Sequence, residues 1–270
     1  MSETKPYSRL LLTGAAGGLG KVLRQRLPAF AHTLRLSDRA ELGAAGPGEE
    51  IVQCDLSDKD AVFRLVQGVD AVLHFGGISV EDRFDSILQS NIVGVFNLYE
   101  AVRKHGVKRV VFASSNHVTG FYKQTERIDT DAPMRPDGLY GLSKCFGENL
   151  SRLYFDRYGI ETVCVRIGSS FPVVKDRRML ATYLSYDDLV ELVRCALFAP
   201  KVGHTVIFGA SNNATKWWDN SKAAHLGFFP KDASDVQRAR VEAASPPLDP
   251  ADPVGIFQGG AFVLAGPFDD

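Results

Sequence analysis

Short apolar runs alternate with amphipathic stretches along the chain as far as about residue 210. Residues 9–12, 34–38, 50–54, 71–75, 109–113, 162–167 and 205–208 are short and rich in Leu, Val, Ile and Phe, which predicts strands. Residues 19–27, 58–66, 84–104, 138–158 and 187–198 instead repeat apolar positions at the three-to-four spacing of a helix. Nearly continuous apolar strands alternating with helices predict a parallel sheet covered on both faces. Right-handed crossovers then make the expected architecture a Rossmann-type, doubly wound α/β fold. After Gly209 the alternation weakens. Trp217-Trp218, a short helical stretch near 234–243 and Ser245-Pro246-Pro247 predict a small, loop-rich C-terminal lobe.

Composition narrows the classes. The chain has 270 residues, which suits one large α/β unit with a small appendage. With 31 Lys and Arg against 32 Asp and Glu, the formal net charge is -1, and no nucleic-acid partner is expected. A hydrophobic content of 45% is enough for a core and excludes a disordered chain. Cys54, Cys145, Cys164 and Cys195 lie far apart without metal-ligand spacing. They read as buried small hydrophobes in a reducing cytosol, and no metal is expected. Met1-Ser2-Glu3-Thr4-Lys5-Pro6 lacks the parts of a signal peptide, and no run has the ~18–20 apolar residues of a membrane span. The expectation is a cytoplasmic protein with no membrane partner.

Chemistry enters at the first strand–helix junction. Thr13-Gly14-Ala15-Ala16-Gly17-Gly18-Leu19-Gly20 places Gly14, Gly17 and Gly20 at a G-x-x-G-x-x-G spacing. Such a turn lets a pyrophosphate approach backbone amides at the positive end of a helix dipole, so a dinucleotide is expected here. Gly18 and Leu19 belong to the same turn. Asp38 stands at the end of the second predicted strand, near the ~20-residue offset of a carboxylate that binds an adenosine ribose. It would accept both ribose hydroxyls and repel a 2′-phosphate, which favours NAD over NADP, although Arg39 follows it. Asp55 and Leu56 would edge the adenine pocket, with Asp55 also a candidate helix cap. Phe75-Gly76-Gly77 follows the fourth strand, where small residues let a cofactor lie against backbone.

Tyr140 and Lys144 fall at i and i+4, on one face of a predicted helix. A tyrosine with a pKa near ~10 is a poor base at neutral pH, and an adjacent ammonium stabilises its phenolate. The strand that precedes it ends Ala113-Ser114-Ser115-Asn116-His117, and a hydroxyl there can hold a reacting oxygen beside the phenol.

On the glycine loop, Asp38, Ser115 and Tyr140-x-x-x-Lys144, the sequence resembles the extended short-chain dehydrogenase/reductase family, also described as NAD-dependent epimerases and dehydratases. Thr13 to Gly20, His74-Phe75-Gly76-Gly77, Ser114-Ser115-Asn116-His117, Arg166-Ile167-Gly168-Ser169-Ser170 and Arg177-Arg178-Met179 resemble, more narrowly, its bacterial uronate-oxidising branch. Trp217-Trp218-Asp219-Asn220 and Gln258-Gly259-Gly260-Ala261-Phe262 extend that resemblance over nearly the whole chain. It implies that Tyr140 is the base, that Lys144 lowers its pKa and holds the nicotinamide ribose, and that Ser115 binds the reacting hydroxyl. Ser115 rather than Ser114 stands in the family's spacing before Gly120. Ser79, Asn116, His117 and Ser169 match substrate contacts, Arg178 the residue that grips a carboxylate, and Ser170 a cofactor contact. Tyr140 and Lys144 also touch the cofactor. Asn91 matches a structural Asn near the lysine, and Arg177 reads as a solvated neighbour of Arg178.

The implied reaction is NAD-dependent oxidation of C1 of a cyclic hexuronic acid to a lactone. Preference between galacturonate and glucuronate stays open. Two other readings remain: a sugar-nucleotide epimerase or dehydratase, whose C-terminal domain is generally larger, and a non-catalytic NAD-sensing module, which often lacks the tyrosine. The family also implies a homo-oligomer. The expected division is an NAD-binding domain over 1–170 that carries the catalytic residues, and a substrate lobe over 171–270. The helix and strand at about 185–209 return to the first of these.

Overall fold

The computed structural model of the protein describes residues 7–247, 249, 251–266 and 268. In chain order its strands are β1 (Tyr7–Thr13), β2 (Ala31–Asp38), β3 (Glu49–Gln53), β4 (Ala71–His74), β5 (Arg109–Ser115), β6 (Ile128–Asp129), β7 (Glu161–Ile167), β8 (His204–Gly209) and β9 (Trp218–Asp219). Seven form a parallel sheet in the order β3-β2-β1-β4-β5-β7-β8, while β6 and β9 pair with each other.

Strand periodicity explains the two cores. Leu10 and Leu12 of β1 point to one face, with Leu23, Leu189, Leu192 and Val193, whereas Leu11 points to the other, with Val62, Leu65, Leu98 and Val102. The same alternation sends Val163 and Val165 of β7 one way and Cys164 the other. The first face is covered by α1 (Gly18–Arg26) and later by α7 (Tyr186–Phe198). The second is covered by α2 (Lys59–Val66), then α4 (Gly94–Lys104) and α5 (Leu139–Tyr158), after the single turn α3 (Phe84–Ile87). All four cysteines are buried and free.

Local chemistry adjusts several expected boundaries. The stretch 84–104 is not one uniform helix: Leu88–Val93 forms a π turn between α3 and α4, and Asn91 sits in it. Such single-turn insertions concentrate at functional sites. The helix expected over 19–27 leaves α-geometry at Arg26, and Leu27–Ala29 makes a 3-10 turn through Pro28. The capping alternative for Asp55 is corrected. Asp58 caps α2 by accepting from the amides of Asp60 and Ala61, while Asp55 accepts from the Ser57 amide and hydroxyl.

Beyond Ser170 the chain forms α6 (Met179–Thr182), returns through α7 and β8, and continues through β9, α8 (Arg238–Ala244) and α9 (Pro253–Ile256). The stretch expected as helix over 234–243 begins as a 3-10 turn at Ser234–Gln237 before α8. Tyr122, Ile128, Phe208, Trp217 and Trp218 form a small cluster of their own. The C-terminal segment lies across residues 120–126. Gln258 and Gly259 donate backbone hydrogen bonds to Tyr122 and Gly120, and the Gln258 side chain accepts from the Trp218 indole.

Strand order reverses between β1 and β4, whose ends Thr13 and His74 are in register. Crevices at such a switch point are where open α/β sheets bind ligands.

Candidate active site

A cleft of about 770 Å³ opens over the carboxyl ends of β1, β2, β4, β5 and β7. Every residue singled out for cofactor, substrate or catalysis lines it; Asn91 and Arg177 do not.

The phosphate turn is built from glycine because nothing larger fits. Gly14 has φ 74°, in the left-handed region, and a Cβ there would overlap the Phe75 carbonyl. At Gly20 a Cβ would overlap the Gly14 carbonyl, so helix α1 could not begin this close to the turn. Gly17 caps α1 without a side-chain bond, and the first turn carries no acid, which leaves its amides and dipole facing the cleft. Gly18 and Leu19 line the same end. Asp38 accepts from the Ala16 and Ala40 amides, so one carboxylate both braces the phosphate turn and faces the cleft. Asp55, Leu56, Phe75, Gly76 and Gly77 continue the wall, with Leu56 packed against the spot a Gly76 side chain would fill.

At the other end, β5 and α5 bring the catalytic candidates together. Lys144 is buried and donates to the Ala113 carbonyl at 2.9 Å, with its ammonium 5.6 Å from the Tyr140 ring centre. Burial pushes the Lys144 ammonium down to about 8 and the Tyr140 phenol up to about 12, the latter opposed by the Ser115 hydroxyl. The two adjacent serines differ in employment. Ser114 donates to Glu148 at 2.6 Å, while Ser115 accepts from the His117 amide and remains on the cleft wall beside Tyr140. Asn91 acts one step back. It joins the Ile78 backbone to Ser143 of α5 and makes no bond to Lys144 among the described residues.

The polar end of the cleft surrounds Arg178. Its guanidinium donates to the Gln258 carbonyl at 2.6 Å and to Ser169 at 3.3 Å, and burial pushes its pKa down. With the Asn116 amide turned so that its nitrogen donates to Ile167, the Asn116 oxygen accepts from Arg178 at 2.7 Å. Among the described residues no carboxylate pairs with Arg178. Arg177 points away, to the carbonyls of Ser245 and Glu242. Ser79 lines the cleft, and the buried Ser170 hydroxyl has no partner among the described residues. A buried orphan hydroxyl on a ligand wall is where an external hydrogen-bonding group fits. With the glycine cradle, it makes the cleft a fit for a dinucleotide.

Sequence reasoning missed four contributors. Asp137 bonds His117 at 2.7 Å. Glu81 accepts from the Leu139 and Tyr140 amides and so caps the helix that carries the tyrosine. Phe262 stacks on His117 from the C-terminal segment. Glu148 forms a buried bidentate pair with Arg166. Only the last had a visible signal: its partner Arg166 interrupts an apolar strand, and Glu148 itself follows Lys144 by one helical turn.

Comparison with known proteins places the chain in a family. The model of the NAD dependent epimerase/dehydratase family matches residues 10–185. The chain is 62% identical to a uronate dehydrogenase of Pseudomonas putida over 267 residues, covering 98% of this chain and 99% of that one. A glucuronic acid dehydrogenase from Chromohalobacter salexigens superimposes with a TM-score of 0.95 at 55% identity, covering 96% of this chain and 98% of that one. A mutant uronate dehydrogenase from Agrobacterium tumefaciens, complexed with NAD, also gives 0.95 at 54% identity, covering 97% and 99%.

Proposed function

Because this chain belongs to the NAD dependent epimerase/dehydratase family, we propose that it catalyses the reaction its relatives are named for, NAD-dependent oxidation of a uronic acid. The substrate is a cyclic hexuronate, galacturonate or glucuronate, and the oxidised atom is C1. Tyr140 takes the proton of the C1 hydroxyl, which Ser115 holds. When bound, NAD would supply the hydride acceptor for C1, and the product would be the aldaric acid lactone. Gly14, Gly17, Gly18, Leu19 and Gly20 hold the pyrophosphate, Asp38 the ribose, and Asp55 and Leu56 the adenine side. Phe75, Gly76, Gly77 and Ser170 flank the remainder, with Tyr140 and Lys144 at the nicotinamide ribose. Ser79, Asn116, His117 and Ser169 orient the sugar, and Arg178 grips its carboxylate.

The observation that carries this reading is the half-buried Arg178, whose guanidinium has no carboxylate partner among the described residues and lies in the same cleft as Tyr140. A planar fork matches a carboxylate, which a neutral sugar lacks. The test is NADH formation with galacturonate, glucuronate, their parent aldoses and nucleotide sugars. NADH is expected from the uronates; its absence with both overturns the reading. Arg178→Lys keeps the charge and loses the fork. It should raise KM for uronates roughly tenfold, the worth of one charge-assisted hydrogen bond of about 1.5 kcal/mol.

The protein works as a homo-oligomer in the cytoplasm. Leu142, Phe146 and Leu153 form an exposed apolar face on α5, Phe96 is exposed on α4, which packs against α5, and a second copy of the chain would cover them. Leu142→Glu combined with Phe146→Glu should lower the mass found by sedimentation equilibrium; an unchanged mass removes this face as the contact. No helix among the described residues is long and apolar enough to cross a membrane. The division into an NAD-binding unit over 1–170 and a substrate lobe over 171–270 follows from the same assignment.

A further inference from the structure

We propose that Asp137 is a positioning residue that fixes the tautomer of His117, so that the Nε2 lone pair facing the cleft accepts a hydrogen bond from a ring hydroxyl of the sugar. The proposal rests on the reading of the cleft as a uronate site.

His117 Nδ1 lies 2.7 Å from Asp137 Oδ2, and the Asp137 side chain has no exposed surface. A carboxylate only accepts, so the shared proton belongs on Nδ1. Burial pushes the His117 imidazole below its ordinary pKa, more than the Asp137 hydrogen bond and charge raise it, and Arg178 pushes the same way as burial. A neutral ring carries one N–H, and with that N–H on Nδ1 the other nitrogen is a bare acceptor. His117 lines the cleft, and its Nε2 has no partner among the described residues.

The ring cannot easily turn to present anything else. Phe262 stacks on it at 3.8 Å between centres, and Tyr140 meets it nearly edge-on at 5.8 Å. The carboxylate is equally confined. A Cβ at Gly120 or at Gly259 would overlap Asp137 Oδ2, and these two residues are joined by a 2.8 Å backbone hydrogen bond. Asp137 Oδ1 has no partner among the described residues. A buried carboxylate that spends one oxygen on a single imidazole and leaves the other unpaired is a costly way to stabilise a fold. It is an economical way to orient a ring. The same short segment, 137–144, thereby carries the orienter of His117, the base Tyr140 and Lys144.

An acceptor at this position selects for chemistry. The sugar must present an O–H to Nε2, and a ligand offering only a lone pair leaves that nitrogen unpaired and desolvated. Asp137→Asn removes the obligate acceptor, because its amide can donate to Nδ1 and shift the proton to Nε2.

The experiment uses full-length protein with saturating NAD and selectively 15N-labelled histidine. The His117 signal is identified as the one lost in His117→Gln. Wild type should show the Nδ1–H tautomer. An Nε2–H tautomer or a doubly protonated ring overturns the proposal, whatever the variants do. Asp137→Asn should move the signal toward the Nε2–H form and raise KM for uronates roughly tenfold, with kcat within about threefold and NAD affinity unchanged. An unchanged KM in a folded Asp137→Asn protein also overturns it. If wild type turned over neither uronate, the functional reading would fail, while the tautomer measurement would still report on His117 and Asp137.

Discussion

Tyr140→Phe is expected to lower kcat/KM for uronate oxidation by about 10²–10⁴-fold, the usual worth of a positioned base, with little change in NAD affinity. The substitution deletes one oxygen from a buried ring whose neighbours Lys144, His117 and Phe262 keep their places. Burial pushes this phenol up to about 12, so ionisation has to be driven from its surroundings. The Ser115 hydroxyl assists and the Asp137 charge opposes it, while the Lys144 ammonium, held on the Ala113 carbonyl 5.6 Å from the ring centre, is the cation placed to favour the phenolate. The rate should therefore rise with pH as the phenolate forms. That rise should flatten above about 8, where burial allows Lys144 to lose its proton. Lys144→Met removes a cation from beside the phenol and should move the acid limb to higher pH. Steady-state NADH kinetics across pH measure all three proteins. A Tyr140→Phe enzyme within tenfold of wild type would assign the base elsewhere, and an acid limb unmoved in Lys144→Met would remove the lysine from the phenol's electrostatics.

Glu148→Gln is expected to destabilise the protein by about 3–5 kcal/mol, because it leaves the Arg166 guanidinium as an uncompensated buried charge. The two side chains are 1% and 2% exposed and meet through two hydrogen bonds, of 2.9 and 2.8 Å. Burial alone would push the Arg166 guanidinium down; the Glu148 bonds and charge more than restore it. The pair also ties α5 to β5 and β7, since Glu148 accepts from Ser114, the residue beside Ser115. By the usual scaling for a chain of this size, the cost corresponds to a fall in Tm of roughly 6–20 °C. Replacing both partners by Met leaves no orphan charge and should recover most of that loss. Urea unfolding of the single and double variants measures both. A single variant within 1 kcal/mol of wild type, or a double variant no better than the single, would show that the pair does not hold α5 against the sheet.

Much of the site was legible because its chemistry is local in sequence. The turn from Gly14 to Gly20, Asp38 at a strand end and the Tyr140/Lys144 spacing each announce a role through a few neighbouring residues. Arg178 and Ser169 were legible only through resemblance, since an Arg in a loop carries no local mark of its target. Arg177 beside it, turned to backbone carbonyls, shows how little separates the two in sequence. Asp137, Phe262 and Glu81 were not legible. Each works through a partner 20 or more residues away: His117 for the first two, the start of α5 for Glu81.

The sequence by itself determined the alternation of strands and helices, a parallel sheet covered on both faces and the dinucleotide turn, because these follow from continuous apolar runs, the 3.6-residue helical period and glycine sterics. It also placed tyrosine and lysine on one helical face. Only the tertiary structure decided which hydroxyl of Ser114 and Ser115 is spent on Glu148, which arginine enters the cleft, and how the C-terminal segment delivers Phe262 to His117. Those outcomes depend on desolvation and pairing between distant segments. A charge or lone pair finds its partner only once packing has excluded water from around it.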